Sequence, residues 1–205
     1  MSPSSRQGAR RLPASGNSAL AASALIQAAL GIEFVLSGLN KFADPNFRTN
    51  FANFVRSSPG SRSGLFSSLI REIVLPNIGI FGSVIKYTEL ILGLVVLVGA
   101  GEIGRRRFQG RFAAQHGYET PVALVAALAG LTAAGLSLSI FLLNGGVLPT
   151  ITPGRAFTSA VPVELLIVPL GIAVAWMESG RFRALSRHQA INKTTKRLRQ
   201  RAQPM

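Results

Sequence analysis

Glu33, Lys86 and Glu89 stand inside apolar runs that are otherwise long enough to cross a membrane. A charged side chain near the bilayer centre costs roughly 2.5–3.5 kcal/mol on insertion scales, so such residues face partners or water-filled cavities and mark functional sites. In the second run Gly82, Lys86, Glu89 and Gly93 follow alternating steps of four and three, which puts them on one helical stripe. Glu33, Ser37 and Asn40 form a matching stripe in the first run. Counted from the outer helix ends at 1.5 Å per residue, Glu33 and Lys86 lie roughly 12 Å deep and Glu89 roughly 16 Å. Side-by-side packing of these helices lets Lys86 neutralise Glu33 or Glu89 and leaves one carboxylate in excess. Glu164, near the outer end of the fourth apolar run, adds an acid to the same cavity. Two chemistries follow. One is an interhelical ion pair that keeps four helices in register; the other is a carboxylate that binds a quinone headgroup, relays a proton or receives a cationic or polar ligand.

The elements that must position these residues are membrane helices. The chain has 205 residues, of which 48% are hydrophobic and 15% charged. Its apolar residues fall in four blocks of about 20, the length that spans roughly 30 Å of hydrocarbon. The blocks cover about 19–39, 78–100, 122–143 and 161–177. Pro162 suits the first turn of the last helix, and Pro169 lies inside it, which a membrane helix tolerates when neighbours satisfy the freed carbonyl. The expected fold is all-α: an integral membrane four-helix bundle at 18–178, between a basic tail at 1–17 and another at 179–205. Amphipathic helical segments are expected in the first outward connection.

A net charge of +14 would suggest nucleic acid in a soluble chain, but its distribution points to a membrane. Arg6, Arg10 and Arg11 precede the first helix, Arg105, Arg106, Arg107 and Arg111 fill the connection between the second and third, and eight basic residues from Arg181 to Arg201 follow the fourth. The positive-inside rule then puts both termini in the cytoplasm and the polybasic tail against anionic lipid rather than nucleic acid. The first apolar run is too long for a signal peptide and lacks a small-residue cleavage site after it, so it reads as an uncleaved helix. The absence of cysteine excludes disulfides, thiol relays and Cys-ligated metal centres. His116 and His188 both fall outside the expected spans, so no metal site is expected.

Between Phe42 and Asn77 the connection is too long for a simple hairpin. Phe47, Phe51, Phe54 and Val55 recur at helical spacing, and Leu65 to Val74 forms a second helical candidate after a turn at Ser57 to Gly64. These pieces either pack over the helix ends or form a lid on an outward-facing cavity. Lys41, Arg48 and Arg71 near the outer face are candidates for attracting an anion. Asn144 to Ala160 reads as an ordered turn. Tyr87, Trp176 and Met177 read as interface anchors. In the third helix Ala126, Gly130 and Ala134 form a small-residue stripe that allows close helix approach, continued imperfectly by Gly135 and Ser139. Glu89-Leu90-Ile91-Leu92 and Glu164-Leu165-Leu166-Ile167 hint at an internal repeat.

Gly31-Ile32-Glu33-Phe34-Val35-Leu36-Ser37-Gly38-Leu39-Asn40-Lys41-Phe42, followed by Asp44-Pro45-Asn46-Phe47, resembles the first-helix signature of DoxX-like membrane proteins. Lys86-Tyr87-Thr88-Glu89-Leu90-Ile91-Leu92-Gly93 and the leucine- and valine-rich run after it are similar to that family's second-helix pattern. The resemblance covers roughly residues 20 to 178. It implies a four-helix protein of a prokaryotic plasma membrane, associated in some members with quinone-linked sulfur oxidation and in others with redox-stress partners. Two functional expectations result: a quinone-linked redox component, or a non-catalytic accessory subunit that anchors a membrane complex. Quinone is the cofactor expected under the first. The lipid bilayer and a second copy or another membrane redox subunit are the expected partners.

Overall fold

The computed structural model describes residues 14–63, 66–107, 117–146 and 161–201, and the regular structure among them is entirely helical. In chain order these are α1 (Ala14–Ala43), α2 (Phe47–Ser57), α3 (Pro59–Ser63), α4 (Ser67–Leu69), a π-helical turn (Ile70–Val74), α5 (Ile78–Arg107), α6 (Glu119–Leu143) and α7 (Val163–Arg201). Four of them, α1, α5, α6 and α7, contain stretches long and apolar enough to cross a membrane. The chain is therefore a multi-pass membrane bundle, as the four apolar blocks indicated.

Local chemistry sets the helix ends. Pro45 disfavours helical geometry at Asp44 and stops α1. The Asp44 carboxylate then accepts hydrogen bonds from the Asn46 backbone N–H at 2.8 Å and the Asn50 amide at 2.9 Å, turning the chain into α2. At the end of α6, Gly145 takes φ 101° while its N–H bonds to Leu142 and that of Gly146 to Phe141, a Schellman closure. Two helices run further than their apolar blocks. α5 continues to Arg107 and α7 to Arg201, because Glu, Arg, Gln and Ala favour helix once hydropathy no longer matters. The expected basic tail from 179 is thus a continuation of α7. At 39 residues α7 is about 58 Å long, roughly twice the hydrocarbon thickness.

The spans pack as two close pairs, α1 with α5 and α6 with α7, and the pairs touch each other less extensively. Small residues explain the closeness. A Cβ on Gly93 would come within 2.5 Å of the Val35 backbone nitrogen, and one on Gly130 within 2.7 Å of the Gly171 carbonyl. The stripe expected on the third helix is correct at Ala126, Gly130 and Ala134, which are buried, but Gly135 and Ser139 are exposed, Ser139 at the edge of the cavity between the helix pairs. Leu30, Phe34, Leu92, Val96, Ala129, Ala133 and Val174 form an apolar layer shared by all four spans. To one side of that layer, the cavity end, the pairs enclose a cavity. To the other, the arginine end, they are joined by buried charged groups.

The connection after α1 roofs the cavity end. Ala52, Val55, Ile70 and Ile78 form its own small core, and α3 rests on the last turn of α6, where a Cβ on Gly60 would meet Leu142 and Leu143. The stretch expected as a plain turn at Ser57 to Gly64 contains this short helix, and Gly64 and Leu65 lie outside the described residues. Of the Asn144 to Ala160 connection only residues 144–146 are described. The basic N-terminal residues Arg6, Arg10 and Arg11, together with Arg111, His116 and Arg155, also lie outside them.

Candidate functional site

A cavity of about 960 Å³ lies between the two helix pairs beneath the roof. Its walls are mainly apolar and rich in phenylalanine, including Phe34 and Phe81 from the spans and Phe47, Phe51, Phe54 and Phe66 from the roof. All four residues of the expected amphipathic stripe, Phe47, Phe51, Phe54 and Val55, line it. Ile70 and Val74 from the π turn do so as well, and π turns recur at functional sites.

Polar groups enter the cavity from all four spans, with Ser137 and Ser139 coming from α6 and Asn50 from the roof. α1 supplies Glu33, Ser37 and Lys41, α5 supplies Glu89, and α7 supplies Glu164. Glu89 is only 2% exposed. Its Oε2 accepts a 2.6 Å contact from the Lys41 ammonium and a 3.0 Å hydrogen bond from the Ser37 hydroxyl, which in turn accepts one from Lys41 at 2.8 Å. The sequence stripes therefore meet as expected at Ser37 and Glu89, and Glu33 and Glu164 share the same cavity. Neither Glu33 nor Glu164 has an ion-pair partner among the described residues.

Four expectations need correction. Lys86 does not neutralise Glu33 or Glu89: its ammonium lies 4.8 Å from the centre of the Phe42 ring, outside the cavity. At about 100° per residue Lys86 sits roughly 60° around the helix from Glu89, so it leaves the interface along the flank of the stripe. Tyr87 packs edge-on against Phe42 on that same flank. Lys41 is the actual counter-ion of Glu89, and so it is an internal cation rather than an outer anion collector. Asn40 is exposed and stays out of the cluster. Arg48 and Arg71 remain outside the cavity. The Arg48 guanidinium lies over Gly79 at the start of α5, and Arg71 donates to the Ser67 carbonyl at 3.3 Å. The two Glu-Leu motifs are not equivalent either, since Glu89 lies three turns into α5 and Glu164 in the first turn of α7.

Sequence reasoning missed the second polar constellation, at the arginine end. The Gln27 amide of α1 donates to Ser23 at 3.1 Å and to Glu178 of α7 at 2.9 Å. Glu178 also accepts from Arg181 Nη1 at 2.9 Å, and Arg181 Nη2 lies 3.8 Å from Glu102 of α5. Arg105 holds Glu102 through two 2.8 Å bonds and reaches Glu119 of α6 at 3.2 Å. Gln27, Glu102, Glu119 and Glu178 are all buried. One polar chain thus ties all four spans. The signal was present in the repeated i, i+3 spacing of Glu102 with Arg105 and Glu178 with Arg181, and in a lone glutamine within an apolar run. These arginines pass for ordinary membrane-flank charges when read without the acids beside them.

Of the eight acidic residues in the chain, Glu33, Glu89 and Glu164 line the cavity while Glu102, Glu119 and Glu178 build the network. In a chain of net charge +14, four of these acids, Glu89, Glu102, Glu119 and Glu178, are buried, whereas Glu33 is exposed and Glu164 half-buried. No group of three or more metal-ligating side chains converges among the described residues.

Fold and site together define a four-helix, multi-pass membrane protein with a roofed, aromatic, acid-bearing cavity at one end and a buried ion network at the other. Comparison of the chain with known protein families, with curated proteins and with solved structures finds no match in any of the three.

Proposed function

We propose that the chain is a quinone-linked redox component of a prokaryotic plasma membrane, related to DoxX-like proteins, with the arginine end facing the cytoplasm. The observation that carries this reading is the Ser37–Glu89–Lys41 cluster on the wall of an aromatic cavity within the spans. The cavity is of ligand-site size, and apolar walls with a few convergent polar groups are what such sites present. The residues fit a quinone headgroup: phenylalanines offer flat apolar faces, and Lys41 and Ser37 are hydrogen-bond donors at one edge. Quinone, when bound, supplies two-electron, two-proton chemistry. Lys41 would orient the headgroup by donating to a carbonyl oxygen, Glu89 would give or take a proton at the same edge, and the roof would exclude water. Electrons come from a partner donor, because a chain without cysteine carries no iron–sulfur or dithiol centre of its own.

The test is bound quinone in protein purified gently from its native membrane, measured alongside a Glu89→Gln variant. Quinone retained by the parent and lost by the variant supports the reading. A well-folded parent that neither retains quinone nor binds it when it is added back defeats the reading.

A second reading, an accessory subunit that anchors a membrane complex, is favoured by the helical continuation of α7 to Arg201. That continuation would present basic residues to a partner. Co-purification of the partner after deletion of residues 184–205 tests it: unchanged recovery removes this role from α7.

A further inference from the structure

The cavity's charge inventory is one-sided. Glu33, Glu89 and Glu164 line it, and Lys41 is its sole lining cation among the described residues. Because Lys41 is held on Glu89 at 2.6 Å, those two cancel. Glu33 and Glu164 are left facing the cavity without an ion-pair partner among the described residues. Glu33 is exposed and Glu164 half-buried, and both border a mainly apolar cavity at membrane depth, where an opposite charge is welcome. The remaining wall is mainly aliphatic but includes six phenylalanines, and aromatic faces attract cations through their negative quadrupole. The chain as a whole is strongly basic, so the cavity's acids are not the result of a generally acidic composition.

We propose that the cavity binds a lipophilic organic cation, an amine or quaternary onium with an apolar body. Glu33 and Glu164 provide the counter-charge and the phenylalanine walls receive the apolar part. A volume of about 960 Å³ accommodates a drug-sized molecule of this kind. Small inorganic anions are disfavoured, because the only lining cation among the described residues is already paired. The inference does not rest on the quinone reading, although both ligands would use the same chamber.

The test uses the full chain in nanodiscs of neutral phospholipid with tetraphenylphosphonium as probe. Binding is counted above protein-free discs by equilibrium dialysis. Tetraphenylborate, of the same shape and opposite charge, is the matched control. Saturable binding of the phosphonium but not the borate is expected, weakened about tenfold by Glu33→Gln or Glu164→Gln, the loss that about 1.4 kcal/mol represents. Glu72→Gln, which alters an exposed acid outside the cavity, should leave binding unchanged. Equal binding of both ions, no saturable phosphonium binding, or phosphonium binding indifferent to both cavity variants overturns the proposal. Added quinone measured on the same discs separates the two readings, since each ligand can succeed or fail independently of the other.

Discussion

Replacing Lys41 with methionine should strand the Glu89 carboxylate in the bundle wall. The two groups lie 2.6 Å apart, with side-chain exposures of 26% for the lysine and 3% for the glutamate. At that separation and an effective dielectric constant near 20, their Coulomb attraction is about 6 kcal/mol. Desolvation offsets much of this, and solvent partly screens the quarter-exposed ammonium. Lys41→Met leaves the buried carboxylate only the Ser37 hydroxyl. The expected destabilisation is about 3 kcal/mol, at the lower end for breaking a buried pair. Glu89→Gln should cost less, about 1 kcal/mol, because Lys41 can turn its ammonium to water. The double variant, with no stranded charge, should fall about 2 kcal/mol short of the sum of the singles. Reversible unfolding in mixed micelles titrated with dodecyl sulfate, followed by helical circular dichroism, measures all four proteins. A coupling below about 0.5 kcal/mol would refute the claim that Lys41 is the counter-ion on which Glu89 depends.

The same unfolding assay checks the remaining predictions. Gly93→Ala places a methyl 2.5 Å from the Val35 backbone nitrogen and should cost about 1–3 kcal/mol by forcing α1 from α5. Gly101→Ala, which meets nothing within 4 Å, should instead stabilise by up to about 1 kcal/mol through helix propensity. Gln27→Leu removes the donor to Glu178 Oε1 and should cost about 1–3 kcal/mol, although it adds apolar volume in an apolar span. Lys86→Met should change stability by less than about 1 kcal/mol, since its ammonium is held only by the Phe42 face. Truncation after residue 183 should leave the bundle intact, whereas truncation after residue 178 removes Arg181 from Glu178 and should destabilise by about 3 kcal/mol.

That last contrast shows why a charge count alone misjudges the end of α7. Arg181 and Arg183 look alike in sequence, two basic residues just past an apolar run. In the bundle Arg181 is turned inward onto Glu178 and Arg183 is exposed. Which of them faces inward follows from the rotation of α7 against α5, set by Gly130 and Gly171 where α6 and α7 meet closely and by the side chains between the pairs.

The number of spans, their approximate limits and the small-residue seam on α6 were legible in the residues themselves. Hydropathy and helical periodicity are local properties, and a bilayer leaves an apolar stretch of about 20 residues little choice but to become a helix. That Glu33, Ser37, Glu89 and Glu164 line one cavity was legible for the same reason, although Glu33 itself is exposed. The ion-pair partners were not. A lysine side chain can reach either of several acids, and choosing Lys41 over Lys86 for Glu89 depended on the relative rotation and vertical offset of α1 and α5. The four-helix network through Gln27, Glu102, Arg105, Glu119, Glu178 and Arg181 joins residues up to 151 positions apart, and no local pattern encodes such contacts. The cavity likewise belongs to no single element. It exists because two tightly packed pairs meet loosely at one end under a roof of short helices, which only the tertiary arrangement could decide.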